Sequence, residues 1–362
     1  MNMNGKFKIL LFAVLGIFFF ASCSNDDDNG SGGSSSSNSG SCYIVNQGNW
    51  NGNDASLQVY DFTTGYASSP ECGSDVFSVA NKELLGDVAQ DLLWVGNRLF
   101  VTVSVSQKLE VLDESGKRIR KHIYAAENAC PRYLATDGER VYVTNHDGYV
   151  YVYDAASGDS LTRIYSGSYP EGISYVDGSL VVNNSNYGGY GGGVPDVAII
   201  DTDSMKVTKR ITQGVCNPYS ESEVCAGAVY IIDSGNYSDI PSKLCEVDVE
   251  NGTLTALYDA SMVAAYENFV YFANATYNYA TYGYDYSPLF RLDVTTGEVS
   301  QVIPAEKLTD IYSLDINPET GDIFIGYAVY GVLGTMRVYD VEGVQGSLFD
   351  VGYYTSGARF RN

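Results

Sequence analysis

The chain repeats one short phrase, in which a few strand residues run into an aspartate that begins a turn. Its clearest copy is Val150 to Asp154, followed by Gly158 and by a second strand from Leu161 to Tyr165. β-Branched and aromatic residues favour a pleated strand, Asp bonds the backbone that follows it, and Gly takes the positive φ that closes the turn. Each copy therefore predicts an antiparallel hairpin.

Seven copies of the phrase divide the chain into units of similar length. The other six are Leu57 to Asp61, Leu109 to Asp113, Val197 to Asp201, Leu244 to Asp248, Leu289 to Asp293 and Met336 to Asp340. Successive aspartates are 52, 41, 47, 47, 45 and 47 residues apart. In all-β sequence a period of about 40 to 50 residues marks four strands per repeat. The sequence thus predicts an all-β fold, a seven-bladed β-propeller with four-stranded antiparallel blades.

The order of the predicted strands also indicates how the ring closes. Inner strands are expected to start near Asp87, Pro131, Pro170, Pro218, Met262 and Ile311, which accounts for six blades. Since Cys42 to Asn46 has the pattern of a second strand, the seventh inner strand is expected at Gly357 to Arg361. We therefore assign residues 42–362 to the propeller, with its C-terminal strand joining the N-terminal blade and hiding the open edges.

The N-terminal segment predicts export and lipidation. Two lysines precede an apolar run, Ile9 to Phe20, which has the shape of a secretory signal and is too short to span a bilayer. The following Ala21-Ser22-Cys23 resembles the bacterial lipobox, with Phe20 in the place of the usual Leu. We expect residues 1–22 to be a lipoprotein signal peptide and Cys23 to be lipidated; the alternative is an ordinary signal with a chance cysteine.

Residues 23–41 are expected to form a flexible tether, because they combine an acidic run with a Gly/Ser/Asn stretch that cannot fold on itself. The acidic run, Asp26 to Asp28, resembles the export signal that sends lipoproteins of Bacteroides-type bacteria to the outer face of the outer membrane. This implies a cell-surface protein attached to the membrane only through its lipid. The alternative interpretation is an acidic solubilising linker.

Composition excludes some partners and favours others. A formal charge of −23 disfavours nucleic acid and anionic lipid surfaces, whose binding depends on Lys and Arg. The chain has 31 tyrosines against two histidines. Tyrosine offers a wide apolar face and a hydroxyl at low entropic cost, so binding surfaces are rich in it, although strands also favour it.

Six cysteines follow Cys23, and their state is open from sequence. They are Cys42, Cys72, Cys130, Cys216, Cys225 and Cys245. In an oxidising compartment they allow up to three disulfides whose connectivity the sequence does not determine. Because no two have the spacing of a zinc or thioredoxin-type pair, we expect disulfides or buried thiols and no metal site.

The loops of one face are predicted to bind a ligand. In a propeller, second-to-third-strand loops and outer-to-inner connections emerge on one face, and the aspartate turns on the other. The former are rich in Asn, Gly and aromatic residues here, the composition of an adaptable recognition surface. The candidate ligand-binding residues are Asn49, Trp50, Arg132, Tyr169, Asn186, Tyr187, Tyr219, Tyr237, Tyr277, Tyr279, Tyr330 and Arg359.

Catalytic patterns are weak by comparison. His122 falls on a predicted outer strand, and His146 in a tight turn, so neither indicates a nucleophile–histidine–acid arrangement. The seven repeated aspartates are explained by turn formation. We expect no catalytic residue, no metal and no cofactor.

Several stretches resemble a known family. Val45-Asn46-Gln47-Gly48-Asn49-Trp50, the strand Val141-Tyr142-Val143-Thr144-Asn145 and the lipobox with its acidic run are similar to the YncE-like surface propeller lipoproteins of gut Bacteroides. Among these, the BtuG-type cobalamin-binding proteins are the best functional match. The resemblance implies capture of a corrinoid, vitamin B12, outside the cell and its delivery to a TonB-dependent outer-membrane transporter.

The chemistry of a corrinoid suits the predicted face. A corrin ring presents flat apolar surface edged with amides and carries one phosphate, so Tyr and Trp faces, Asn side chains and an Arg would hold it. Two other classes remain open: a glycan- or protein-binding surface propeller, and a propeller lactonase or lyase. The enzyme class requires a carboxylate, histidine or metal cluster at the channel mouth.

Overall fold

Short strands carry almost all of the secondary structure in the computed structural model, which describes residues 40–186 and 193–361. In chain order, the strands of these residues are β1 Ser41–Asn46, β2 Ser56–Asp61, β3 Tyr66–Ala67, β4 Ala89–Val95, β5 Arg98–Val103, β6 Lys108–Leu112, β7 Arg118–Ile123, β8 Pro131–Thr136, β9 Arg140–Asn145, β10 Tyr149–Asp154, β11 Ser160–Tyr165, β12 Pro170–Val176, β13 Ser179–Asn184, β14 Asp196–Asp201, β15 Lys206–Ile211, β16 Ser222–Cys225, β17 Ala228–Asp233, β18 Lys243–Asp248, β19 Thr253–Asp259, β20 Met262–Tyr266, β21 Phe269–Ala273, β22 Ala275–Asn278, β23 Gly283–Tyr286, β24 Leu289–Asp293, β25 Val299–Ile303, β26 Ile311–Ile316, β27 Ile323–Tyr327, β28 Gly334–Tyr339, β29 Gln345–Val351 and β30 Thr355–Phe360. One helix, α1 Val76–Asn81, follows β3, and a 3-10 turn, Ala305–Lys307, precedes β26.

The strands form seven four-stranded antiparallel blades, as the repeat predicts. From the inside outward, blade 1 is β30, β1, β2 and β3, blade 2 is β4 to β7, blade 3 is β8 to β11, blade 4 is β12 to β15, blade 5 is β16 to β19, and blade 7 is β26 to β29. Blade 6 is β20, β21, β24 and β25, and the hairpin of β22 and β23 is inserted between its second and third strands.

The two ends of the propeller meet in blade 1, which confirms the predicted closure. Strand β30 pairs antiparallel with β1, with Phe360 opposite Cys42 and Gly357 opposite Val45. Asn46 fixes the approach to β30, because its Oδ1 accepts hydrogen bonds from Gly352 N at 3.0 Å and from Thr355 Oγ1 at 2.7 Å. The C-terminal strand is therefore an inner strand of the ring.

Each pair of neighbouring blades encloses one hydrophobic cluster. Between blades 7 and 1, for example, Ile44 packs with Phe324 and Met336. Since neighbouring blades cover both faces of the middle strands, these strands are apolar on both sides: Leu180, Val181 and Val182 of β13 are all fully buried. Outer strands such as β11 are mostly exposed.

The repeated aspartates form the hairpin turns that the sequence predicts. Asp154 Oδ1 accepts a hydrogen bond from Ser157 N at 2.7 Å, and Gly158 closes the turn at a φ of 70°. Asp201 Oδ1 accepts one from Ser204 N at 2.8 Å in the next blade. Hydrogen bonds from the turn lower the pKa of both carboxyls. These residues stabilise hairpins.

The six cysteines of the described region are all free thiols, so the disulfides that the sequence allowed are not formed. Cys42, Cys225 and Cys245 are buried, and Cys72, Cys130 and Cys216 are partly exposed. Among the residues that the structure describes, no helix has the length and apolarity to cross a membrane. The predicted signal peptide, Cys23 and the tether up to residue 39 lie outside the described residues.

Candidate functional site

A cavity of about 600 Å³ opens at the face where the inner strands begin. We call it the upper chamber. Gln90, Arg132, Val263, Tyr312 and Ser356 come from the inner strands β4, β8, β20, β26 and β30 and all line it. Because residues from so many blades converge on it, the upper chamber lies on the central channel, the usual ligand position of this architecture.

Aromatic side chains surround the upper chamber and polar ones are interspersed among them. The aromatic lining residues are Trp50, Tyr133, Tyr219, Tyr312, Tyr330 and Tyr354. The main polar ones are Gln47, Asn49, Gln90, Arg132, Ser220 and Glu221. Trp50 is 71% exposed and Tyr330 is 90% exposed. Trp50 and Tyr330 thus expose their apolar faces at the mouth of the chamber.

The loop that carries Trp50 is held by Asp54. Its Oδ1 accepts a hydrogen bond from Asn49 N at 2.6 Å, and its Oδ2 accepts one from Asn49 Nδ2 at 2.7 Å. Gly48 makes this possible: its φ is 80°, and a Cβ there would lie 2.4 Å from Asp54 Oδ1. Trp50 therefore projects from a fixed turn, which lowers the entropic cost of using it as a contact.

Arg132 provides a buried positive charge at the wall of the upper chamber. Its Nε donates to Glu171 Oε2 at 2.7 Å, and its Nη1 donates to Gln90 Oε1 at 2.6 Å. Its guanidinium carbon lies 5.6 Å from the ring centre of Tyr133 and 5.7 Å from that of Tyr219. Burial alone would lower the pKa of Arg132, but Glu171 keeps it well above its usual value. A guanidinium so fixed suits an anionic or amide-bearing ligand.

A second row of groups lies behind Arg132. Glu171, fully buried, accepts a hydrogen bond from His146 Nε2 at 2.7 Å. His146 N donates to Cys130 O at 3.2 Å, and the imidazole of His146 also interacts with the thiol of Cys130. Burial would raise the pKa of Glu171, but the charges of Arg132 and His146 lower it. Burial would lower the pKa of His146, but Glu171 and Cys130 raise it to about 8. These two neighbours thus favour the imidazolium form of His146.

Farther along the channel is a smaller cavity of about 290 Å³, which we call the lower chamber. Glu221 lines both chambers, so they adjoin. In the lower chamber Arg359 pairs with three carboxylates: Asp91 at 3.0 Å, Glu221 at 3.0 Å, and Asp315. A fourth carboxyl, Glu223, lies in the same cavity. Burial raises its pKa to about 8, and Asp315 and Asp91 add to the rise against the opposing charge of Arg359.

The structure brings five of the twelve predicted residues together and separates the others. Those that line the upper chamber are Asn49, Trp50, Arg132, Tyr219 and Tyr330. Arg359 lies in the lower chamber, away from the face on which we placed it. Along a strand each residue advances about 3.3 Å, so Arg359, three positions beyond Ser356, lies about 10 Å deeper in the channel. Tyr187 is outside the described residues.

The remaining predicted residues are not among those lining either chamber. Tyr237 is 67% exposed, and its hydroxyl accepts a hydrogen bond from Asn217 Nδ2 at 3.2 Å. Asn186 is buried and closes its own loop, since its Oδ1 accepts a hydrogen bond from Gly193 N at 2.9 Å. Tyr169 packs on the ring of His146, with ring centres 4.9 Å apart.

Tyr277 and Tyr279 belong to the hairpin inserted in blade 6. The ring of Tyr277 meets that of Tyr279 edge to face at 5.0 Å, and that of Tyr284 at 5.3 Å. Tyr279 and Tyr282 are 73% and 82% exposed. This stretch, predicted as a loop, therefore forms a self-packed aromatic hairpin.

Sequence reasoning missed Gln90, Glu171 and Glu221. A signal for Glu171 was present, because the dipeptide Pro170-Glu171 opens an inner strand in the same way as Pro131-Arg132 does. A charged residue directly after the first residue of an inner strand faces the channel. When two residues at this position on neighbouring blades carry opposite charges, as Arg132 and Glu171 do, their positions predict an ion pair.

Comparison with known proteins establishes the fold and no more. No family model matches the chain, and no curated protein matches it. Among solved structures, hydrazine synthase of Kuenenia stuttgartiensis aligns with a TM-score of 0.55 at 17% identity, over 68% of this chain and 74% of that chain. The WD40 domain of Neurospora crassa Pan2 aligns with a TM-score of 0.56 at 12% identity, over 75% and 80%. The protein is a seven-bladed β-propeller.

Proposed function

We propose that this propeller captures a corrinoid, such as cobalamin, in the upper chamber. The observation that carries the proposal is the set of aromatic side chains around a buried, fixed Arg132, of which Trp50 and Tyr330 are the most exposed. Apolar faces of Trp50 and Tyr330 would cover the corrin ring, and Asn49 and neighbouring amides would meet its peripheral amides. The nucleotide phosphate would approach Arg132.

The electrostatics of the upper chamber support an anionic group there despite the acidic character of the chain. Arg132 lines the upper chamber, and His146 shares the carboxylate of Glu171, which would otherwise offset the charge of Arg132 alone. Burial raises the pKa of Glu221, so its repulsion of an anion is weaker than that of an ordinary glutamate. Charges buried close to the site affect a bound anion more strongly than distant surface carboxylates do, because dissolved salt screens the surface carboxylates.

We also propose that the protein is a lipoprotein of the outer membrane, exposed at the cell surface, which passes its ligand to a TonB-dependent transporter. The lipobox-like segment and the acidic run behind Cys23 support this placement. The Gly/Ser/Asn composition of the segment behind Cys23 suits a linker long enough for the chamber mouth to reach a transporter. Palmitate labelling of Cys23 and protease accessibility on intact cells test it; an unlabelled or protected protein would contradict it.

The binding proposal is tested with the purified full-length chain and cyanocobalamin. We expect coloured protein, with about one ligand per chain, after desalting. If the vitamin elutes entirely as free ligand at concentrations well above its physiological range, the corrinoid proposal is wrong. Retention of a glycan under the same conditions would favour the alternative of a sugar-binding surface propeller.

Replacing Trp50 by Ala is expected to weaken cobalamin binding by about fivefold or more, since an aromatic anchor at an interface contributes about 1 to 3 kcal/mol. The thermal midpoint should stay unchanged, because the side chain is 71% exposed. Titration calorimetry measures the affinity. The matched control is Tyr66→Ala, an aromatic residue that is 66% exposed on the outer strand β3. Equal affinities for the two variants would contradict the placement of the ligand.

We propose binding rather than catalysis because neither a cysteine nor a histidine occurs among the described residues that line the upper chamber, which are aromatic, amide and aliphatic apart from Arg132, Glu221 and serines. Within the described residues, no group of three His, Cys, Asp or Glu side chains is arranged to hold a metal ion. A propeller lactonase or lyase would depend on such groups. Turnover of a lactone by the purified protein would overturn this part of the proposal.

A further inference from the structure

In the proposed capture of a ligand, His146 and Glu171 act only by supporting Arg132, and Cys130 has no role. The chemistry of Cys130, His146 and Glu171 together is distinctive. Cys130 directly precedes β8, and His146 directly follows β9, so both lie on the face that carries the mouth of the upper chamber. Cys130 is partly exposed, whereas Glu171 is fully buried. The row thus runs from a fully buried carboxylate to a residue that is partly exposed.

The charges around Cys130 favour its thiolate form. Burial alone would raise the pKa of the thiol, but the hydrogen bond from His146 and the positive charges of Arg132 and His146 outweigh burial and lower it, against a smaller opposing effect of Glu171. A thiolate beside an imidazolium is the arrangement that activates cysteines as nucleophiles.

The other thiols of the described region show what is particular to Cys130. Cys72 and Cys216 are also partly exposed, but burial and neighbouring aspartates raise the pKa of both. Cys42 and Cys225 are buried, with their pKa also raised. These thiols are therefore internal references against which the reactivity of Cys130 can be compared.

A buried amide beside Cys130 adds a second observation. The side chain of Asn145 is fully buried, and its Oδ1 accepts a hydrogen bond from Cys130 N at 2.7 Å. Its Nδ2 has no hydrogen-bond partner within residues 40–186 and 193–361. An orphaned buried donor of this kind is costly unless a group outside the protein accepts from it. An adduct on Cys130 would bring such an acceptor.

We propose that Cys130, hydrogen-bonded to His146 and backed by Glu171, is a reactive thiolate and a site of covalent modification by small disulfides and other soft electrophiles. With a disulfide such as cystine, the Cys130 sulfur attacks one sulfur of the reagent. A new S–S bond forms, the old one breaks, and the other half leaves as a thiolate that takes a proton from water. Cys130 is oxidised as the reagent disulfide is reduced.

The test is a brief exposure of the full-length protein to limiting iodoacetamide between about pH 5 and about pH 9, with each cysteine read out by peptide mass spectrometry. At neutral pH we expect Cys130 to be alkylated at least about fivefold faster than Cys72 and Cys216, since ionisation outweighs the lower nucleophilicity of a low-pKa thiolate. Its rate should level off at a lower pH than theirs. Treatment with cystine should add the mass of half a cystine to the Cys130 peptide first.

The matched variant is His146→Gln, which keeps a hydrogen-bonding side chain and removes the positive charge. We expect the inflection of the Cys130 profile to move to higher pH and the neutral-pH rate to fall about fivefold or more, while Cys72 and Cys216 keep their rates. The two reference thiols also report folding, because unfolding would accelerate all of them together. Cys130 reacting no faster than the reference thiols, or an unchanged profile in His146→Gln, would overturn the proposal.

Discussion

Deletion of residues 357–362 is expected to unfold the propeller. The deletion removes most of β30, whose pairing with β1 closes the ring, and with it Ala358, which is 1% exposed. It exposes the edge of β1 and the hydrophobic cluster between blades 7 and 1. The net free energy of unfolding of a domain is only about 5 to 15 kcal/mol. Losing a strand and part of the contact between blades 7 and 1 therefore removes most of that free energy. We expect the thermal midpoint to fall by about 10 °C or more, or the cooperative transition to disappear, in circular dichroism and calorimetry.

A single substitution at the same end provides the control. Arg361→Ala removes an exposed side chain that pairs with Glu114 and lies 5.3 Å from the ring centre of Trp94, and it leaves β30 whole. Surface pairs of this kind contribute at most about 1 kcal/mol. This variant should melt close to the parent. A truncated protein that melts with its midpoint and cooperativity intact would show that the ring does not depend on β30.

The ring and its closure were predictable because they follow from local patterns that repeat. The aspartate turns fix the spacing of the blades. Because the N-terminal blade lacks an inner strand of its own, the segment that begins at Gly357 is the one left to supply it. The ends of second strands add a further regularity: Asn46, Asn145 and Asp233 are all buried, and each accepts hydrogen bonds from the chain entering an inner strand. A repeat of this kind specifies an architecture from sequence alone.

The site was only partly predictable, since depth and pairing across blades are not local. Arg359 was correctly placed on an inner strand, but the register that carries it into the lower chamber depends on the pairing of β30 with β1. Glu171 meets Arg132 across 39 residues of sequence, which no period reveals. The tyrosines of β22 and β23 found partners in their own hairpin, because neighbouring aromatic residues on paired strands pack against each other.

Replacing Arg359 by Met is expected to be the most damaging single substitution in the channel. It leaves Asp91, Glu221, Glu223 and Asp315 in the lower chamber without their shared positive charge. Removing one partner from a buried ion pair costs about 3 to 5 kcal/mol, since the remaining charges stay desolvated. Chemical denaturation at about pH 8 should show a loss of this size, and the loss should shrink at about pH 5, where the carboxyls of the variant take up protons.

The pH dependence of the parent protein provides the complementary test through Glu223. Its pKa is raised to about 8 in the folded protein from an ordinary value of 4.5. The folded state keeps a proton that the unfolded state has already released, so stability falls as pH rises from about 4.5 to about 8 and then levels off. Glu223→Gln, which keeps the shape without the charge, should leave stability at about pH 5 nearly unchanged and raise it at about pH 8 by about 1 to 3 kcal/mol. If Glu223→Gln and Arg359→Met shift stability in the same direction at about pH 8, the lower chamber does not hold excess negative charge, and the assignment of Arg359 as its counter-ion is wrong.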